Sequence, residues 1–384
     1  MELLLENIGC ISEANIKVDG FTVLTGTNAS GKSTLLKTLY SITESPHASD
    51  QKIENALNME LRKYNRRSST SKEKKGSKEN DQRLIVDMLN EMLNDKSEEM
   101  QRFFDKNELE NYKIYLESGT NLSYFLEKFL DSSLEEEFSG QFFKIGSRKA
   151  HVKLSDDDKI YAEILKDDND IKIKNLTESF NSMYYIDSPY VLDSIVPFFF
   201  SRGLQEHRGN LSTALSGRSS GNGTLNKTNV EKVVEIMSKA FKGSFRRTNA
   251  GLLYDSEEAK GVLASNLASG MKILSIIRLL IENGSLYNGS LLLIDEPEIH
   301  LHPEWQLVLA EVLVYLKKEL GITIVMTTHS AHFLMAIQKY SKDEGIHVDY
   351  YMAETRMKKH YFTDVSDNTE KIYSLMAEAM EKVF

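Results

Sequence analysis

The chain opens on apolar residues arranged at short-strand spacing. Residues 2–7 form an apolar run, and residues 14–18 alternate apolar and polar. Asp19-Gly20 then turns the chain into 21–25, a β-branched and aromatic run. Beyond a glycine-rich loop, Leu35, Leu36 and Leu39 recur at helical spacing, and this helix is expected to end near Ser41.

Between residues 45 and 176 the pattern changes and reads as an insertion. Its first part is charged and helix-prone, with Leu84, Ile85, Met88, Leu89 and Met92 on one apolar face. Its last part, 141–173, breaks into short alternating runs at 150–154 and 159–165, bounded by acidic turns, which predicts antiparallel hairpins. The acidic runs lack the glycine and closing glutamate of a calcium loop, so they read as solvated turns. Tyr184-Tyr185-Ile186 is a buried-strand candidate, and 216–226 is a Gly/Ser/Asn-rich loop. Residues 230–241 read as an amphipathic helix, and Leu274, Ile276, Ile277, Leu279, Leu280 and Ile281 as a strongly apolar one. Strands at 291–294 and 322–326 frame a helix at 305–316, a rhythm that predicts a parallel sheet. The tail, 350–383, reads as a strand pair and a closing helix.

Composition narrows the class. With 384 residues the chain can bury a sizeable core in one large or two medium domains. No run is long enough to span a bilayer, the most apolar one, 195–200, being brief and broken by Pro197. Glu2 and Glu6 stand where a signal peptide carries base, and the single Cys10 fits a reducing compartment, so a cytoplasmic protein is expected. The formal charge of -10 argues against a surface given over wholly to nucleic acid. One basic cluster stands out nevertheless: Arg62, Lys63, Arg66, Arg67, Lys72, Lys74, Lys75 and Lys78. Serines and glycines in the same stretch make it a solvated loop first and a nucleic-acid contact second.

Three motifs hold the chemistry. Gly26, Thr27, Asn28, Ala29, Ser30, Gly31, Lys32, Ser33 and Thr34 have the phosphate-loop spacing, with a strand before and a helix after. Glycines let backbone N–H groups approach the phosphates, Lys32 reaches the β- and γ-phosphates of ATP, and the Ser33 hydroxyl suits Mg²⁺. The buried run Leu291-Leu292-Leu293-Ile294 delivers Asp295 to a strand's carboxyl end, where it can hold Mg²⁺ from the other side. Glu296, one residue later, suits deprotonating the attacking water. A second buried strand ends in Thr327-Thr328-His329, placing His329 where ligands collect, as a γ-phosphate or water contact.

In this order the motifs resemble the ABC-type ATPase heads shared by the SMC, RecF and OLD (overcoming lysogenization defect) families. Ser269 and Gly270, in Leu267-Ala268-Ser269-Gly270-Met271-Lys272, stand where those families carry a serine-glycine signature. The resemblance implies that they contact the γ-phosphate bound by a second protomer, and a glycine at a helix start is itself suited to an anion. Asp295-Glu296-Pro297-Glu298-Ile299-His300-Leu301-His302-Pro303 resembles the OLD-like ATPases of bacterial anti-phage systems such as Septu and certain retrons. His300 and His302 read as packing or interface groups rather than metal ligands.

The fold implied is α/β: a P-loop NTPase with an ABC-type head, its mixed, largely parallel sheet flanked by helices, an antiparallel β subdomain, and a helical insertion. The head takes 1–45 and 184–384, the insertion 46–183, and a helical lid 195–262 precedes the signature. Two departures stand out. The family's usual glutamine is absent after Tyr185-Ile186, leaving Asp187 or Ser188 to complete the Mg²⁺ shell. The stretch after His329 is also too short for the Toprim nuclease domain of OLD proteins, so a nuclease is expected on another polypeptide. The function implied is an ATP-hydrolysing switch that dimerises head to tail around ATP, controls a separate effector such as a nuclease in anti-phage defence, and touches no membrane. A RecF-like repair ATPase is the alternative, a transporter's nucleotide-binding subunit a weaker one, and a nuclease in its own right the last.

Overall fold

The computed structural model of the chain describes residues 1–47, 122–167, 171–194, 206–216, 227–248, 251–357 and 359–381. The basic cluster at 62–78, the apolar face at 84–92, the run 195–200 and most of the glycine-rich loop, 217–226, lie outside them. The chain divides into two compact units, Met1–Glu44 with Ser132–Phe384, and Ser45–Asp131. Of the second, the structure describes 45–47 and the beginning of helix α2 (Leu122–Phe138).

The first unit is organised by an eleven-stranded sheet in the order β6-β5-β4-β1-β2-β14-β13-β3-β12-β11-β7. One half is parallel: β13 (Asp349–Arg356), β3 (Phe21–Gly26), β12 (Thr323–Thr327), β11 (Ser290–Ile294) and β7 (Ser182–Ile186) run side by side. Every residue of β3, β11 and β12 is buried, as strands covered on both faces must be, which is why they read as unbroken apolar runs. The other half is antiparallel: β1 (Glu2–Ile8), β2 (Ile11–Lys17), β4 (Lys149–Asp156), β5 (Lys159–Asp167) and β6 (Ile171–Leu176). β14 (Lys359–Asp364) joins the halves, antiparallel to β13 and parallel to β2.

Residues 132–183, grouped by the sequence with the insertion, fall in the same compact unit as the head. The reason is pairing. β4 lies against β1 from Glu2↔Ser155 to Glu6↔His151, and its alternate residues Ala150, Val152 and Leu154 are buried. The acidic run Asp156-Asp157-Asp158 is the hairpin turn between β4 and β5; most of the second acidic run, 168–170, lies outside the described residues.

Helix α1 (Lys32–Glu44) runs one turn past the expected stop at Ser41. Ile42 is buried there, and the Thr43 hydroxyl donates back to the Leu39 carbonyl at 2.7 Å. The region read as a helical lid contains α3 (Glu206–Leu215) and α4 (Lys227–Met237), but also a small antiparallel sheet. Its strands are β8 (Ser244–Thr248), β9 (Gly251–Asp255) and β10 (Val262–Leu263), and Leu252 and Tyr254 anchor it in the main core. That core is centred on α5 (Ser269–Glu282), whose residues Ile273 to Ile281 are all buried, and on α6 (Pro303–Leu320). α7 (Ala331–Asp343) and α8 (Glu370–Glu381) follow β12 and β14. The architecture is a large mixed sheet flanked by helices, with a separate three-stranded antiparallel sheet and a phosphate-type loop between β3 and α1. No described helix is long and apolar enough to cross a membrane.

Candidate active site

Parallel pairing brings the carboxyl ends of β3, β12, β11 and β7 to one edge of the sheet, so the motifs that follow these strands are neighbours. β3 ends at Gly26, and α1 begins at Lys32. In the loop between, Ala29 and Gly31 take positive φ, 59° and 101°. At Gly31 a Cβ would also stand 2.6 Å from Ile11 Cγ1, so nothing larger fits. Asn28, Ala29, Ser30, Gly31, Lys32, Ser33 and Thr34 line a cavity of about 1150 Å³, together with Glu296. Lys32 is buried, and its ammonium donates to the Gly26 carbonyl at 3.2 Å and the Thr27 carbonyl at 3.0 Å. Burial pulls its pKa below the ordinary lysine value, while Glu296 and Asp295 pull the other way.

Asp295 follows β11 immediately, and Thr327 at the end of β12 ties it in place. The Thr327 hydroxyl donates to Asp295 Oδ1 at 2.5 Å and accepts the Glu296 N–H at 2.9 Å. The Tyr185 hydroxyl, from β7, reaches Asp295 Oδ2 at 3.4 Å. Glu296 has φ of 45°, a left-handed conformation that costs a non-glycine residue energy and is held here by its surroundings. His329 Nε2 lies 2.7 Å from Glu296 Oε1. Burial and then Lys32 lower the His329 pKa, against the pull of Glu296 and Asp295, which favours a neutral ring beside the carboxylate.

Two groups here make contacts that the local sequence does not disclose. Thr327 is one, and its only signal was a threonine pair before His329. Glu298 is the other: it is 5 % exposed, and its Oε1 accepts from the Thr328 hydroxyl at 2.6 Å and the His329 N–H at 2.9 Å. Burial raises its pKa.

Asp187 is not free to complete a metal shell. Arg208 Nε donates to both its oxygens at 3.1 and 3.0 Å, and His207 Nε2 lies 3.2 Å from Oδ1. Burial would raise its pKa, but these hydrogen bonds outweigh it and hold the carboxyl well below the usual range. His207 is fully buried between two acids, with Nδ1 2.7 Å from Glu137 Oε2 at the end of α2. Burial works against the imidazolium, but the bonds to Asp187 and Glu137 prevail and raise its pKa. His207→Ala removes the imidazolium beside the buried Glu137, leaving its carboxylate, among the described residues, only the residue-207 N–H at 3.0 Å, and is expected to cost about 3–5 kcal/mol in denaturant titration. The raised folded-state pKa makes the imidazolium's contribution complete below the free-histidine value of about 6.5 and lost as pH rises through the folded value. The variant is therefore expected to lose less stability than wild type between mildly acid and alkaline pH.

Ser269 opens α5 and Gly270 follows it, half-buried and buried respectively. A Cβ on Gly270 would stand 2.8 Å from the His300 carbonyl oxygen, so this glycine also lets α5 pack under the turn after Glu296. Neither residue lines the cavity formed by the chain's own phosphate loop. His300 packs edge-on against Tyr190, ring centres 5.8 Å apart.

The oxygen donors present, the Ser33 hydroxyl and the Asp295 carboxylate, fit Mg²⁺, which takes one or two protein oxygens and completes its shell with phosphate and water. Among the described residues no group of three or more His, Cys, Asp or Glu forms a self-sufficient metal cage.

A family model described as "AAA domain, putative AbiEii toxin, Type IV TA system" matches residues 21–336. No curated protein matches the chain. Among solved structures, the chain is similar to the SMC head domain from Thermotoga maritima, at 10 % identity and a TM-score of 0.42, over 95 % of this chain and 98 % of that one. It is similar to the Pyrococcus furiosus Smc head domain with an extended coiled coil, bound to the C-terminal domain of ScpA, at 11 % identity and 0.37, over 99 % and 98 %. It is similar, too, to the dimeric bacterial ABC transporter cassette MJ0796, at 12 % identity and 0.32, over 91 % and 94 %.

Proposed function

The chain belongs to the AAA-domain family whose model spans residues 21–336, and from that premise we propose that it is an ATP-hydrolysing switch whose nucleotide site is completed by a second copy of itself. The observation that supports this most directly is the partition of the motifs. Lys32, Ser33 and Glu296 line one cavity, and the Ser269-Gly270 helix start takes no part in it.

Within one chain, the backbone of Asn28 to Gly31 and the Lys32 ammonium take the β- and γ-phosphates. Ser33 and Asp295 would hold Mg²⁺, which would supply charge neutralisation at those phosphates. Glu296 takes the proton of the attacking water, with the neutral His329 ring holding the carboxylate in place. The positive end of α5 in the other chain meets the γ-phosphate, so ATP holds the two copies together and its loss releases them. Ser269→Arg is expected to leave ATP affinity within about twofold of wild type while abolishing ATP-dependent dimerisation and lowering turnover about a hundredfold, since α5's donors act only across the dimer. Light scattering with ATP and a phosphate-release assay read both. A variant that dimerises and turns over like wild type would sink the in-trans reading.

We read the switch as the ATPase subunit of a defence system that governs a separate effector, such as a nuclease. The family's toxin–antitoxin description and the Asp295 to Pro303 resemblance support that role. Affinity capture of the wild-type chain from its native host, with and without ATP, tests it. Recovery of the chain alone in both conditions contradicts it.

A further inference from the structure

Glu298 is a carboxylate buried where a carboxylate is costly, and no cation pairs with it within 4 Å among the described residues. Three donors nevertheless converge on one of its oxygens. Oε1 takes the Thr328 hydroxyl at 2.6 Å, the His329 N–H at 2.9 Å and the Ser330 N–H at 3.2 Å. Those groups precede α7, whose N-cap is Ser330, so the carboxylate also faces the positive end of a helix. Oε2 is buried without a partner.

The placement of these bonds is specific. Glu298 belongs to the turn that begins at Glu296, and its own carbonyl accepts the Leu301 N–H at 2.9 Å. The bonds to 328–330 therefore fasten the turn bearing Glu296 to the turn bearing His329. His329 is the middle of the three residues held, and its ring nitrogen is the one 2.7 Å from Glu296 Oε1. The main chain is thus gripped at His329 and Ser330, and the residue before them is held through the Thr328 hydroxyl, which fixes the base from which the His329 ring reaches Glu296.

We infer that Glu298 is the positioning residue of the hydrolytic site, a latch that sets the Glu296–His329 geometry through the Thr328 hydroxyl and the backbone of His329 and Ser330. This deepens the proposed ATPase reading and rests on it. Glu298 is buried and does not line the cavity. Its effect passes through His329, and that gives a signature distinct from a general packing role.

The test is a kinetic cycle on the full chain with ATP, using Glu298→Ala, Glu298→Gln, His329→Ala and the double variant Glu298→Ala with His329→Ala. Glu298→Ala is expected to lower kcat about tenfold to a hundredfold, with KM changed less than about threefold, since the phosphate loop is untouched. Glu298→Gln keeps an acceptor at Oε1 and is expected to recover most of the rate. In the His329→Ala background, Glu298→Ala is expected to cost no further kcat. A full additional loss there, or unchanged kcat in Glu298→Ala, overturns the inference. Should the alanine variant fail to fold, Glu298→Asp withdraws the same charge by one methylene and is expected to show the same kcat loss at constant KM. Wild-type kcat in that variant overturns the inference equally. Failure of the ATPase reading itself shows differently, as no Glu296-dependent phosphate release by the wild-type chain.

Discussion

Replacing Lys32 by alanine is expected to weaken ATP binding by at least about thirtyfold and to leave no measurable turnover. Truncating one partner of a buried, hydrogen-bonded charge pair typically costs about 2–5 kcal/mol, which converts to roughly 30- to 4,000-fold in affinity. The loss should lie at the upper end here. Lys32 is buried, its charge is disfavoured by that burial, and it is held by its own loop through the Gly26 and Thr27 carbonyls. Its ammonium is thus preorganised at the base of the cavity, and a phosphate offers it the anionic partner those two carbonyls do not. Titration calorimetry with ATP reads the affinity, and thermal unfolding without ATP separates lost binding from lost fold. Equal affinity in wild type and variant removes the nucleotide reading altogether.

The part of the site that the sequence disclosed is the part whose geometry is local. The loop from Gly26 to Thr34 is defined by spacing, because glycines, lysine and serine must lie at fixed offsets along one turn and one helix start. Asp295 was legible because four buried apolar residues can end only at a sheet edge. His329 followed from the same logic on β12.

What escaped were contacts between residues far apart along the chain. Glu298 meets Thr328, His329 and Ser330 from thirty or more positions away. His207 meets Glu137 from seventy. No periodicity encodes such pairings, because strand order creates them, and a buried glutamate looks identical in sequence to a solvated one. Asp187 shows the same limit from the other side. As a residue at a strand end it was a fair metal candidate, yet Arg208 and His207 on α3 already claim it. The antiparallel half-sheet was read as hairpins but not as part of the head, because alternation sets a strand's face and leaves its neighbour open. In β8, the exposed Arg246 and Arg247 hid even the alternation.

Glu296→Gln is expected to be the most informative single change, because it separates binding from hydrolysis. The substitution keeps the size of the side chain and leaves the loop and Lys32 untouched, so ATP affinity should stay within about threefold of wild type. Turnover should fall by about 10²–10⁴, the usual worth of a positioned general base, since an amide cannot accept the water's proton. The strained backbone at φ of 45° and the Thr327 bond to the Glu296 N–H both belong to the main chain, so they survive the change. His329 then faces a neutral amide in place of the carboxylate 2.7 Å away, losing an interaction that raises its pKa. If the nucleotide is shared between two copies, binding without hydrolysis should hold them together, and the variant should accumulate as an ATP-dependent dimer on light scattering while wild type returns to monomer. A variant that hydrolyses ATP at the wild-type rate would remove Glu296 from the chemistry. One that binds ATP, fails to hydrolyse it and stays monomeric would leave the catalytic assignment standing and overturn the dimer.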